Sequence, residues 1–76
     1  MKCEREAFEA FLAENGWSLA RTKSSHSSWT KPGCSRPVVV DTNYEDVPDM
    51  HLTSNLRTMG LTRKDLRDFL DRGAKK

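Results

Sequence analysis

The chain has 76 residues, 36% hydrophobic and 32% charged, and its 13 basic and 11 acidic side chains leave a formal net charge of +2. This length allows one small domain and excludes a second. No apolar run approaches the roughly 20 residues that cross a bilayer, and the first residues lack the apolar centre of a secretory signal, so we expect a soluble cytoplasmic protein with reduced thiols.

The first predicted element is an amphipathic helix over residues 4–14. Its apolar residues recur at helical spacing, and glutamates occupy the complementary side. The apolar set is Ala7, Phe8, Phe11 and Leu12. Gly16 can adopt the left-handed conformation that ends a helix, so the helix is expected to stop just before it.

Three strands are predicted next, over residues 17–22, 26–31 and 36–41. Trp17 and Leu19 share one face of the first strand, which we expect to meet the helix. In the second strand Trp29 and His26 lie on opposite faces, so a core position for Trp29 turns His26 outward. The short connections predict an antiparallel meander.

Two short helices are expected at the C-terminal end, over residues 52–59 and 63–72. The first carries an apolar stripe of Leu52, Leu56 and Met59, and Thr62-Arg-Lys-Asp65 is a capping box that starts the second. The order of helix, three-stranded antiparallel sheet and one or two helices predicts an α+β fold. Residues 57–76 hold seven cations and three aspartates, which indicates either a surface for a polyanion or a solvated helix with a frayed tail at 74–76.

Charge is segregated along the middle of the chain. Residues 21–36 hold four cations and no carboxylate, whereas residues 41–49 hold four carboxylates and no cation. The cations are Arg21, Lys23, Lys31 and Arg36, and the carboxylates are Asp41, Glu45, Asp46 and Asp49. The acidic group leaves a magnesium site open as an alternative, although it lacks the spacing of a calcium loop.

Cysteines and histidines are few. Cys3 and Cys34, with His26 and His51, supply four potential zinc ligands, but no closely spaced pair such as C-x-x-C is present. A reducing compartment favours two free thiols over a disulfide. We therefore predict no metal and no other cofactor.

The segment Arg21-Thr-Lys-Ser-Ser-His26 places one imidazole among hydroxyl groups and cations. Histidine as a residue type titrates near neutrality, so it can take a proton from a ribose 2′-hydroxyl or give one to a leaving oxygen. From the pattern alone, a solvated polar residue on an open sheet face is the favoured interpretation of His26.

Several features together resemble the HicA family of toxin–antitoxin mRNA interferases: the element order, Gly16-Trp17, Ser25-His26, Arg36-Pro-Val-Val-Val40 and Leu52-Thr-Ser-Asn-Leu-Arg-Thr-Met-Gly-Leu-Thr62. The resemblance covers nearly the whole chain. It implies a fold like the double-stranded-RNA-binding domain, RNA cleavage without a metal by the histidine of a Gly-Ser-His motif, and silencing by a HicB antitoxin. His26 matches that histidine.

Two positions depart from the family pattern. Ser24 stands where the motif has glycine, and a left-handed conformation there would cost about 1 kcal/mol or more. Many members place a histidine just after the third strand, where this chain has Asp41-Thr-Asn-Tyr44. A second proton carrier is thus unassigned. His51 is a candidate, but a surface or capping role is the favoured interpretation of this residue.

The resemblance and the residue chemistry together predict a cytoplasmic endoribonuclease that acts on mRNA and spares DNA, which lacks the 2′-hydroxyl. His26 is the predicted catalytic residue. Phosphate contacts are expected from Arg21, Lys23, Ser25, Ser28, Lys31 and Arg36. The predicted partners are mRNA and a HicB-like antitoxin, with no membrane.

Two other functions remain open on the sequence. The first is a non-catalytic RNA-binding module, in which the same cations contact phosphates and His26 contacts a ribose. The second is a protein-interaction domain that binds only a cognate partner. Trp17 and Trp29 are available for base stacking, but a chain this small needs them in its core.

Overall fold

A computed structural model describes residues 1–73 of the chain; the tail predicted at 74–76 lies outside the described residues. Within these 73 residues, three helices and three strands follow one another as α1 (Arg5–Glu14), β1 (Ser18–Lys23), β2 (His26–Thr30), β3 (Val38–Asp41), α2 (Asp49–Met59) and α3 (Arg63–Gly73). The predicted α+β order is therefore confirmed. Within the described part of the chain, no helix is long and apolar enough to cross a membrane.

The end of α1 explains how the chain turns into the sheet. Gly16 has a φ of 88°, its amide donates to the Ala13 carbonyl (3.1 Å), and the Trp17 amide donates to the Leu12 carbonyl (2.9 Å). These paired bonds form a Schellman motif, which needs a left-handed residue after the helix. The motif delivers Trp17 into the core, where it is 3% exposed.

The sheet is an antiparallel meander in the order β1-β2-β3. His26 lies opposite Lys23 on β1 and opposite Asp41 on β3, while Trp29 lies opposite Val38. Because directly opposed residues share a face, this register separates two surfaces. Ser27, Trp29, Val38 and Val40 face the helices, whereas Arg21, Lys23, His26, Ser28, Val39 and Asp41 form what we call the open face.

The core lies between the helices and the inner face of β2 and β3. Its buried residues are Cys3, Phe8, Phe11, Leu12, Trp17, Val38, Val40, Val47, Leu52, Leu56 and Leu66. Phe11 packs against Phe69 of α3 with ring centroids 5.3 Å apart. Trp29 packs against this cluster and is half-buried, so both indoles contribute to packing as expected.

Polar contacts cap the N-terminal end of α3 and also link it to the N-terminal end of α2. Thr62 and Asp65 form the predicted capping box, with the Thr62 amide donating to Asp65 Oδ2 (2.8 Å) and the Asp65 amide donating to Thr62 Oγ1 (3.2 Å). These bonds hold the pKa of Asp65 below its usual range. Arg63 also donates to Asp49 Oδ1 (3.0 Å), which ties the start of α3 to the start of α2.

Three sequence-based expectations differ from the structure. Leu19 was expected to meet the helix together with Trp17, but it is 52% exposed, and all six residues of β1 are exposed. The third strand begins at Val38 rather than at residue 36, two residues after the predicted start. Helix α2 begins at Asp49 rather than at residue 52, since Pro48 serves as its N-cap and needs no amide donor there.

Candidate functional site

His26 is the first residue of β2 and follows a two-residue turn made by Ser24 and Ser25. Ser24 has a φ of 56°, the only positive φ among the described non-glycine residues. A positive φ at only the first central residue is typical of type II′ turns, which favour glycine at that position. The left-handed conformation foreseen for this position is therefore present, and serine bears its cost.

The turn is anchored to the end of β3. The Ser25 carbonyl accepts a hydrogen bond from the Thr42 amide (2.7 Å) and another from Thr42 Oγ1 (3.1 Å). These two hydrogen bonds hold the turn against Thr42, the residue that follows Asp41. The backbone on both sides of His26 is consequently held in place.

A row of three ionisable side chains crosses the open face. Lys23, His26 and Asp41 lie side by side on adjacent strands, and His26 Nε2 is 3.9 Å from Asp41 Oδ2. The His26 side chain is 58% exposed and that of Asp41 is 20% exposed. Asp41 Oδ1 accepts a hydrogen bond from the Asn43 amide (2.9 Å), which orients the carboxylate.

A second row runs beside the first. Arg21 on β1 lies opposite Ser28 on β2, which lies opposite Val39 on β3. Arg21 and Lys23 are both exposed, so the edge strand presents two cations on the face that carries His26. Ser28 is two residues from His26 along β2 and shares its face.

A groove of about 320 Å³ lies where the open face meets α2. We call it the α2–β3 groove; it is lined by His26, Val39, Asp41, His51, Ser54 and Asn55. The three helical residues stand at i, i+3 and i+4, which is one face of a helix. Asn55 is 9% exposed, and its Nδ2 donates to the Val39 carbonyl (3.2 Å), so a buried amide joins α2 to β3.

His51 reaches the same groove from α2. It is half-buried, and its ring meets Tyr44 nearly perpendicularly, with centroids 5.8 Å apart. Such edge-on pairs are favoured aromatic geometries, so Tyr44 restricts the orientation of the imidazole. The chain has two histidines, and both line the α2–β3 groove.

The predicted phosphate-binding residues are divided between two ends of the sheet. Arg21, Lys23, Ser25 and Ser28 are at or near the His26 end, although Ser25 is a turn residue whose carbonyl is already used. Lys31 follows the other end of β2, where its side chain lies against Gly16. Arg36 precedes β3 at that same end. The structure does not bring Lys31 or Arg36 to His26.

The cysteines are separated from this site and from each other. Cys3 is buried and Cys34 is exposed, and both thiols are free. Burial raises the pKa of Cys3 to about 11, with smaller contributions from Asp46 and Glu4. Within residues 1–73, no group of three or more His, Cys, Asp or Glu side chains is arranged to hold a metal ion.

Sequence reasoning missed Asn55 and Ser54 as parts of the site. A usable signal was present, because Asn55 interrupts the apolar stripe between Leu52 and Leu56, and a polar residue in such a stripe needs a buried partner. Asp41 was predicted at the end of the third strand, but its carboxylate was considered only for a magnesium site with Glu45, Asp46 and Asp49. Only the register between β2 and β3 places its carboxylate beside the imidazole.

Comparison with known proteins assigns no function to this geometry. No protein-family model matches the chain, and a search of curated proteins found no significant match. A functional assignment therefore depends on the α2–β3 groove, on the open face and on the sequence resemblance described above.

Proposed function

We propose that the protein is a metal-independent endoribonuclease of the HicA type, which cleaves mRNA in the cytoplasm through His26. The observation that supports this most is the position of His26, exposed between Lys23 and Asp41 at the α2–β3 groove. An exposed imidazole with a cation on one side and an oriented carboxylate on the other has the groups that proton transfer at a phosphodiester requires.

The nucleophile in this reaction belongs to the substrate. His26 removes the proton from a ribose 2′-hydroxyl, and the 2′-oxygen attacks the adjacent phosphorus. Asp41 Oδ2, 3.9 Å from His26 Nε2, stabilises the imidazolium that forms. DNA has no 2′-hydroxyl and is not a substrate.

Lys23 and Arg21 bind the RNA backbone along β1. Both side chains lie on the open face and are exposed, so phosphate oxygens reach them without displacing the core. Their positive charge also offsets the negative charge that develops on the crowded phosphorus. Ser28 is placed to donate a hydrogen bond to a non-bridging oxygen. Lys31 and Arg36, at the other end of the hairpin, contact more distant phosphates.

The proposed function includes inhibition by a HicB-like antitoxin, which would act at the same surface. A partner with carboxylates at its contact surface would pair with Arg21 and Lys23 and cover His26. Because β1 is an exposed edge strand, RNA and antitoxin would compete for one surface.

The test is cleavage of a transcript by the purified protein in excess chelator. We expect His26→Ala to reduce the cleavage rate by about 10²–10⁴-fold, the range for losing one general acid or base. Thr30→Ala is the matched control, since Thr30 is exposed on β2 at the end away from His26. It should keep the wild-type rate.

Three results would contradict this proposal. They are an absolute need for a divalent metal, full activity of His26→Ala, or salt-sensitive RNA binding without cleavage. The last result would favour the RNA-binding module instead. A protein with neither RNA affinity nor toxicity on expression would favour the protein-interaction domain.

A further inference from the structure

The two histidines are 25 positions apart in sequence and come from different elements, yet both line one groove. His26 is on β2 and His51 is on α2. Nothing in the local sequence requires this meeting, because it is produced by the packing of α2 on β3 through Asn55. Cleavage of RNA involves two proton transfers, one at the nucleophile and one at the leaving group.

We propose that His51 is the second catalytic residue, the general acid that protonates the leaving 5′-oxygen; this rests on the ribonuclease function proposed above. His26 takes the 2′-hydroxyl proton, and a bond forms between the 2′-oxygen and phosphorus. The bond between phosphorus and the 5′-oxygen breaks as the imidazolium of His51 donates its proton to that oxygen. The products are a 2′,3′-cyclic phosphate and a 5′-hydroxyl, with one proton taken up and one released.

The two rings have different surroundings. Asp41 is beside His26 and would stabilise the cation formed when a base accepts a proton, and Lys23 lies opposite His26 on β1. Around His51 the groove presents Ser54 and Asn55, and Tyr44 packs against the ring. His51 is thus oriented by an aromatic neighbour and supported by an amide-anchored helix.

A groove of about 320 Å³ is at the lower end of the range for small-ligand pockets, about 300–1,000 Å³. It accommodates the atoms around one scissile phosphate, with the two imidazoles on its sheet wall and its helix wall. In the proposed complex the scissile phosphate lies between these two walls, so that a base and an acid stand on different sides of the phosphorus, as an in-line displacement needs.

The experiment compares two versions of one RNA oligonucleotide that the wild-type protein cleaves. One has the natural 5′-oxygen at the scissile linkage, and the other has a bridging 5′-sulfur, which leaves as a thiolate without needing a proton. We expect His51→Ala and His51→Gln to slow the oxygen substrate by about 10²–10⁴-fold and the sulfur substrate by less than about tenfold. His26→Ala should slow both, because both need the nucleophile deprotonated.

Met50→Ala is the matched control on the same helix. Its side chain is 82% exposed and is not part of the groove, so both substrates should be cleaved at the wild-type rate. Thermal unfolding of each variant checks that the fold is retained, and His51→Gln preserves polarity and bulk if the alanine variant is unstable.

Equal slowing of both substrates by the folded His51 variants would show a positioning role and overturn the inference. Unchanged cleavage of both would overturn it as well. In either case the loss of activity in His26→Ala would leave the ribonuclease proposal standing. A wild-type protein that cleaves no RNA would overturn the ribonuclease proposal and this inference with it.

Discussion

The two outer strands of the sheet occupy opposite environments. In β3, Val38 and Val40 are buried under the helices while Val39 and Asp41 face the other way. In β1, all six residues are exposed, including the cations Arg21 and Lys23. One edge of the sheet is thus joined to the core and the other is open to a ligand. Stability therefore depends on β3 far more than on β1. The proposed chemistry uses all three strands, with the cations on β1, His26 on β2 and Asp41 on β3.

The largest expected effect on stability comes from truncating a large buried side chain, and truncation of an exposed one on β1 provides the control. Phe8 is fully buried in α1, and Phe8→Ala should cost about 3–5 kcal/mol of unfolding free energy. A single core of this size supplies about that much in total, so the variant should be largely unfolded at room temperature. Circular dichroism during urea titration measures the loss.

Leu19→Ala, on the exposed strand β1, is the control for Phe8→Ala. Leu19 is 52% exposed, so its truncation should change the free energy of unfolding by less than about 0.5 kcal/mol. A large loss for Leu19→Ala would mean that β1 belongs to the core and would remove the distinction between the two edges.

A smaller effect is expected at the junction of α2 and β3. Asn55→Ala removes the hydrogen bond to the Val39 carbonyl and leaves that carbonyl without its side-chain partner, which should cost about 1–2 kcal/mol. Because the same contact positions His51, RNA cleavage should also fall while the protein remains folded. Ser54→Ala, one residue away, should leave the stability within about 0.5 kcal/mol of wild type. Equal stability losses in the two variants would argue against a specific role for the amide.

The β1–β2 turn offers a stabilising change of still smaller size. Ser24→Gly should raise the free energy of unfolding by about 1 kcal/mol, because glycine adopts a positive φ without the steric cost that serine bears. Ser25→Gly is the matched control, since Ser25 has no positive φ and gains nothing from glycine. Urea midpoints compare the two variants. A gain from Ser25→Gly equal to that from Ser24→Gly would contradict the strain.

How much of this could be read from the sequence depends on the range of the interactions. The order of elements, the capping box at Thr62 and the outward direction of His26 follow from local spacing, and the structure agrees with each. The exposure of Leu19 could not be predicted in this way. Period-two spacing gives its face, but only the tertiary structure shows that all six residues of β1 are exposed.

The residue types of the site could be predicted from the sequence, but which residues the fold brings together could not. His26 and the nearby cations are visible in one short segment, whereas the groove needs Asp41, His51 and Asn55 from two other elements. Their meeting depends on strand register and on a tertiary hydrogen bond, neither of which has a periodic signature. The strand register also explains why Lys31 and Arg36 lie at the other end of the sheet from Arg21, Lys23 and His26.

The two thiols place the same chemical group in two environments, since Cys3 is buried and Cys34 is exposed. The pKa of Cys3 is raised from about 9.0 to about 11, chiefly because burial disfavours the thiolate, while Cys34 is exposed. At pH 8 the thiolate fraction of Cys3 should be about 100-fold lower than that of an ordinary thiol. A disulfide reagent should therefore modify one thiol per folded chain and both after denaturation.

The raised pKa of Cys3 makes the free energy of unfolding depend on pH. A thiol whose pKa is higher in the folded state contributes stability that is fully present below pH 9.0 and is lost as the pH rises towards 11. The unfolding free energy should fall over that interval, and Cys3→Ala should remove this part of the fall. Cys34→Ser should keep it and should leave a folded chain that the reagent does not modify. Two thiols reacting at the same rate in the folded protein would place Cys3 at the surface, because only an exposed thiol ionises and is attacked that readily.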